Sequence, residues 1–348
     1  LGVNSRARTS HPLLVAPRRR QTGIARPTEA RSEQGTMAIV LGPHQYGKAE
    51  NRVVRIYRDS PRHEIHDVNV STALRGAFDP AHLVGDQSAV LPTDSQKQTA
   101  YAYAKEKGLT SIEPYGLHLA KHFVDDVVPV TGARIEIEEY AWERVVVDGT
   151  EHDFTFVRRG QEVRTAAVTV EGKGDAQRTF VVGGFKDLVL LKTTGSEFHD
   201  FLTDEYTLLE PTNDRIMATS LEARWRFDSA ALDSAALDSA AGFDWEGVYA
   251  GVKQTMMEVF ATLHSLALQQ TLYEMGKAVL ERFPMIVELR MTAPNKHHFL
   301  YDLSPFGLEN RNEVFNADDR PYGLIQASVL RDDAPDAGSA WDVAGGFA

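Results

Sequence analysis

Met217-Ala218-Thr219-Ser220-Leu221-Glu222-Ala223-Arg224-Trp225-Arg226-Phe227 is the stretch on which the fold turns. Met217, Thr219, Leu221, Ala223, Trp225 and Phe227 fall on one side of an extended chain, with Ser220, Glu222, Arg224 and Arg226 on the other. That spacing predicts a strand with one buried face. Downstream the period changes. Val248, Val252, Met256, Val259 and Leu263 make Glu246–Ser265 an amphipathic helix. Leu272, Met275 and Val279 repeat the spacing over Leu268–Phe283 until Pro284 stops it. Met285–Met291 and Gly323–Leu330 return to strand.

The same order has already occurred once upstream. Arg52–Arg58 and Glu64–Thr72 read as paired strands, and Thr93-Asp94-Ser95 opens a helix to Lys107 with Thr93 and Gln96 spaced as a capping box. Ser111 starts a second helix, in which Ile112, Tyr115, Leu119 and Phe123 share a face. Ala133–Trp142, His152–Arg158 and Val163–Glu171 are strands again, and Gly172-Lys173-Gly174 is a turn between the halves. Strands segregated from helix pairs, rather than alternating with them, indicate the α+β class with antiparallel sheets. The expected division is a leader over 1–36, like domains over 37–174 and 175–332, and a tail over 333–348. The leader carries seven Arg against two Glu, no hydrophobic period, and is followed by the first Met, Met37. It reads as a disordered or non-native extension. A repeated Asp-Ser-Ala-Ala-Leu within Asp228–Ala241 reads most simply as a loop insertion, with an Ala and Leu content that could instead prolong the following helix.

Composition excludes several functions. The net charge of -12, beside a leader of +5, leaves -17 on the remainder, which disfavours a nucleic-acid partner because phosphate contacts need clustered Lys and Arg. No cysteine is present, so disulfides, thiolate nucleophiles and iron–sulfur clusters are ruled out and the chemistry must use O and N groups. The apolar runs fall short of the roughly 20 residues of a membrane span. A cytoplasmic location is expected, the final Gly346-Phe347-Ala348 not being a Ser-Lys-Leu signal. His63-x-x-His66 and His118-x-x-x-His122 have ligand-like spacing but bring two nitrogens each and no third ligand, so no metal site is expected. Phosphate-loop, dinucleotide, zinc-protease and hydrolase motifs have no convincing match.

Seven separated segments point elsewhere: Gln45-Tyr46-Gly47-Lys48, Leu91-Pro92-Thr93-Asp94-Ser95, Gly195-Ser196-Glu197-Phe198, Asp204-Glu205-Tyr206-Thr207, Thr212-Asn213-Asp214-Arg215-Ile216, Leu266-Ala267-Leu268-Gln269-Gln270-Thr271-Leu272-Tyr273 and Pro294-Asn295-Lys296-His297-His298-Phe299. In order and spacing, from Met37 to Asp332, the chain resembles the urate oxidases. The resemblance implies tandem T-fold domains in a homotetramer around a tunnel, with active sites between subunits. It implies oxidation of urate by dioxygen and water to 5-hydroxyisourate and hydrogen peroxide, with no cofactor.

Taken alone, each residue has a plainer reading: Lys48 a solvated charge, Thr93 a cap, His297 a packed imidazole, Arg215 a surface ion pair near Asp214, Phe198 a core aromatic. The resemblance makes Lys48, Thr93 and His297 a proton relay, in which Lys48 would draw the proton from Thr93 with an amine lowered by burial or a nearby cation. It makes Arg215 and Gln269 the grip on the purine, a planar fork meeting carbonyl and ring nitrogen while an amide offers donor and acceptor. Phe198 would stack on the ring with Leu209 nearby, and the Leu268 backbone N–H would meet the ligand where the family often carries Val. Thr93 and Asp94 belong to the substrate-binding set, and Asn295 would hold dioxygen or water above the ring. His298 is read as structural. Two other readings share the pattern. A zinc-dependent T-fold enzyme of the pterin-synthase or GTP-cyclohydrolase kind would bind stoichiometric zinc and ignore urate. A non-catalytic purine binder would hold urate without releasing peroxide.

Overall fold

The computed structural model describes residues 38–230, 232 and 243–343. The leader expected over 1–36 and most of the Asp228–Ala241 repeat lie outside the described residues. One antiparallel sheet of eight strands organises the rest. Its strands are β1 (Asn51–Tyr57), β2 (Glu64–Gly76), β3 (Val130–Glu139), β6 (Val163–Glu171), β7 (Arg178–Lys192), β8 (Met217–Phe227), β9 (Ile286–Leu300) and β10 (Phe315–Leu330), in that spatial order. A separate hairpin, β4 (Trp142–Val147) with β5 (Thr150–Arg158), leaves the sheet between β3 and β6. The helices are α1 (Asp79–Val84), α2 (Thr93–Glu106), α3 (Ile112–Asp126), α4 (Trp245–Thr262) and α5 (Leu268–Arg282). Each half contributes two strands, then helices, then two more sheet strands. The halves fuse where β6 pairs with β7, Val163 opposite Lys186 through to Glu171 opposite Arg178.

The alternation read in Met217–Phe227 holds. Met217, Thr219, Leu221, Ala223, Trp225 and Phe227 are buried, whereas Ser220, Glu222 and Arg224 are only half covered. The buried face packs in one continuous core with Val168, Val181, Leu289 and Met291 of neighbouring strands and with Val252, Met256, Leu272 and Met275 of α4 and α5. Each such side chain withdrawn from water contributes about 1.5–3 kcal/mol. The opposite face is polar and carries Arg226, whose Nε meets Glu288 at 3.0 Å. A smaller cluster of Ala167, Phe180, Val182 and Ala340, with Trp341 against it, also lies there.

β7 is a strand that the sequence pattern does not reveal. Val181 enters the main core and Val182 the small cluster, so both faces are covered and the period-two signal vanishes. β9 runs past the expected Met291 to Leu300, through Pro294 and a polar run, with its ladder to β8 lapsing between Thr219 and Glu222 opposite that proline. Below the sheet, Arg164 of β6 ties the halves together. Its guanidinium lies 2.9 Å from Glu113 of α3 and 2.6 Å from Glu246 of α4.

Candidate active site

Along β9, Leu289, Met291 and Ala293 point into the helix-side core, and the same face continues through Asn295 and His297. α5 packs on β9 and β10 and begins at Leu268. Asn295 and His297 therefore line a cavity of about 310 Å³ together with Leu268 and Gln269 at the N-terminus of α5. That helix end is bare. Its cap position is Ala267, which has no side chain to cap with, and its first turn holds no acidic residue, so its orphan N–H groups present a positive end.

The opposite wall comes from the irregular segment between β7 and β8. Phe198 is fixed by an antiparallel bridge to Thr212, its N–H donating to Thr212 O at 2.8 Å and the reverse bond measuring 2.9 Å. Arg215 donates its backbone N–H to Ser196 O at 2.8 Å and its Nε to Ser196 Oγ at 3.3 Å. The guanidinium carbon then lies 5.2 Å from the centre of the Phe198 ring. Burial pushes Arg215 below the ordinary arginine range, and among the described residues no carboxylate pairs with it. The surface ion pair with Asp214 does not form; Asp214 Oδ1 accepts from the Thr194 hydroxyl at 2.8 Å, while Arg215 turns to Ser196. Leu209 completes this wall and is 56% exposed. Phe198, Leu209, Arg215, Leu268, Gln269, Asn295 and His297 thus gather round one cavity. Ile325, Thr212 and His298 line it as well. Sequence reasoning passed over the first two, and it set His298 aside as structural.

Lys48, Thr93 and Asp94 gather elsewhere. Lys48 follows a bridge between Tyr46 and Leu74, donates its backbone N–H to Thr72 Oγ1 at 2.9 Å and accepts from Thr72 N at 2.8 Å. The Thr72 hydroxyl donates to Gln96 Oε1 at 2.6 Å, which couples the Lys48 segment to the first turn of α2. Thr93 is therefore not the cap. Pro92 occupies that position, Thr93 is the first helical residue, and the expected capping box is absent because buried Gln96 turns inward to Thr72. Asp94 is bonded to Lys97. The Lys97 amine, then Gln98 and more weakly Lys48, hold its carboxyl below the usual range. Lys48 lies on the β1 side of β2 and His297 on β9, six inter-strand steps away along the sheet. None of Lys48, Thr93 and Asp94 lines the cavity that holds His297, so one chain does not gather the three relay residues round it.

The histidine pairs are engaged separately. His66 Nδ1 is 3.0 Å from Glu139, His122 Nδ1 is 2.8 Å from Asp126, and the His63 ring lies 6.0 Å from that of Phe154.

A family model described as Uricase matches residues 44–169 and 181–326. The chain is 46% identical over 318 residues to the uricase of Arthrobacter globiformis, covering 91% of this chain and 98% of that protein. It is 33% identical over 294 residues to the uricase of Aspergillus flavus, with 82% and 95% covered. A crystal structure of the Arthrobacter globiformis uricase superposes with a TM-score of 0.78 at 46% identity, over 86% of this chain and 98% of that one.

Proposed function

The chain belongs to the uricase family and is an oxidoreductase of that kind, and we propose that it oxidises urate with dioxygen and water to 5-hydroxyisourate and hydrogen peroxide. The observation that carries this reading is Arg215, without a carboxylate partner among the described residues, beside Phe198 and facing Gln269 and the bare end of α5 across a cavity of about 310 Å³. A flat anionic heterocycle suits each wall. Phe198 offers a ring to stack on, Arg215 two parallel N–H groups for a carbonyl and a ring nitrogen, and Gln269 a donor and an acceptor for the far edge. The helix end favours the negative charge.

In the proposed chemistry urate supplies two electrons to dioxygen, which leaves as peroxide, while water adds to the oxidised ring. Because the substrate is the reductant, the protein's tasks are binding, proton movement and holding oxygen and then water above the ring. Asn295 takes the last of these. Lys48, Thr93 and His297 form the relay, and Lys48, Thr93 and Asp94 reach the cavity from a second copy of the chain within a homotetramer. The halves 37–174 and 175–332 correspond to the two T-fold repeats, and the enzyme works in purine breakdown in the cytoplasm.

The test is urate consumption, oxygen uptake and peroxide formation by exhaustively chelated protein. Turnover is expected to persist. Thr93→Ala and Lys48→Met are expected to reduce kcat far more than anaerobic urate affinity, whereas Arg215→Ala reduces both. No turnover by folded, chelated protein, or equal losses from all three variants, would overturn the reading.

A further inference from the structure

Ser265, fully buried between α4 and α5, touches both walls of the cavity. Its backbone N–H donates to Gly195 O and its carbonyl accepts from Glu197 N, each at 2.9 Å, which fixes it to the segment that carries Phe198. Its hydroxyl oxygen lies 2.8 Å from Thr271 Oγ1, also fully buried, near the start of the helix that carries Leu268 and Gln269. Lys192, the last residue of β7, donates its Nζ to that same Ser265 Oγ and to Leu263 O, both at 2.7 Å. The ammonium also lies 5.4 Å from the centre of the Phe260 ring.

We infer that Lys192 and Ser265 are positioning residues that lock the α4–α5 connector and so set the distance between the Phe198–Arg215 wall and the Gln269 helix end. This rests on the urate-binding reading of the cavity. A partly buried lysine that only stabilised the fold would gain most from a carboxylate partner, since even partial loss of water disfavours an unneutralised charge. Lys192 has none among the described residues, and burial alone holds its amine below the ordinary lysine range. Its bonds run instead to a carbonyl and a hydroxyl of the connector.

The experiment is anaerobic equilibrium dialysis of urate against the full chain and against Lys192→Met, Ser265→Ala, their double variant and Lys192→Arg, with steady-state kinetics and thermal melts in parallel. Each of the first two is expected to weaken binding about tenfold and raise KM in step, with kcat within about threefold. The double variant should be little worse than either single one, because both break the same link. Lys192→Arg, which keeps charge and donors, should recover affinity to within about threefold of the parent. Unchanged affinity, loss confined to kcat, or multiplying losses in the double variant would overturn the inference. If Lys192→Met does not fold, Ser265→Ala decides, since it removes only the oxygen that Lys192 and Thr271 share. Failure of the unsubstituted protein to bind urate would remove the functional reading and this inference together, whereas intact binding by the variants removes the inference alone.

Discussion

Phe198 is held from both sides by charged neighbours that titrate. Glu197 accepts from His264 Nε2 and, at 2.5 Å, from His199 Nε2, while His199 Nδ1 lies 2.7 Å from Asp200. To serve both carboxylates His199 must carry both ring protons. Asp200 first and Glu197 second raise it above its ordinary value of 6.5. The His264 bond first and the His199 bond second lower Glu197 below 4.5. The signs follow from linkage. Glu197 contributes stability present above 4.5 and lost as pH falls through its lowered folded value. His199 contributes stability present below 6.5 and lost as pH rises through its raised one. The groups are solvent-screened, so the effect is local. An NMR titration of the His199 ring should give a midpoint above 6.5, moving back toward it in Glu197→Gln. A midpoint unchanged by that substitution would show that Glu197 does not hold the imidazolium.

Elements carry the next constraints, and Gly47 shows how tight they are. A Cβ built there would stand 1.7 Å from the carbonyl oxygen of Thr72, so no other residue lets the Lys48 segment lie against β2. Gly47→Ala should push that segment off the strand and, through an ångström-scale misplacement of Lys48, lower turnover by roughly a hundredfold. The thermal midpoint should move only a few degrees, because a short edge segment is displaced, and kinetics beside a melting curve would show it. Arg164 demands the reverse result. It is 5% exposed, and Glu113, Glu246 and Glu139 outweigh its burial and keep its guanidinium above the ordinary range. Arg164→Met strands Glu113 in the core, which should cost about 3–5 kcal/mol, and adding Glu113→Leu should restore much of the loss in thermal unfolding.

These cases also show what sequence can and cannot express. The strand over Met217–Phe227 was legible because one face is dry and the other polar. Phe198, Arg215, Gln269 and His297 were legible only through resemblance, since each alone looks like an ordinary aromatic, cation, amide or imidazole. β7 was hidden because cover on both faces erases alternation. The capping box failed because Gln96 found a better partner in Thr72, 24 positions away, and no local pattern reports such a contact.

At the scale of the whole molecule, the separation of Lys48 and Thr93 from Arg215 and His297 sets the decisive measurement. If the proposed site is built between chains, Thr93→Ala spoils the half-site that a chain lends and Arg215→Ala the half-site that it keeps. Each variant alone is then inactive at every site. In a pair made of one of each, one site receives both defects and the other receives neither. Co-expression, or unfolding and refolding of the mixture, should therefore restore roughly a quarter of parental turnover when chains pair at random in a symmetric assembly. A site contained in one chain would give no recovery, since every chain would keep its own defect. Differently tagged subunits purified for the mixed species sharpen the comparison. Recovery should follow the mixed fraction, and its absence in verified mixed oligomers would mean that the two clusters do not serve one reaction.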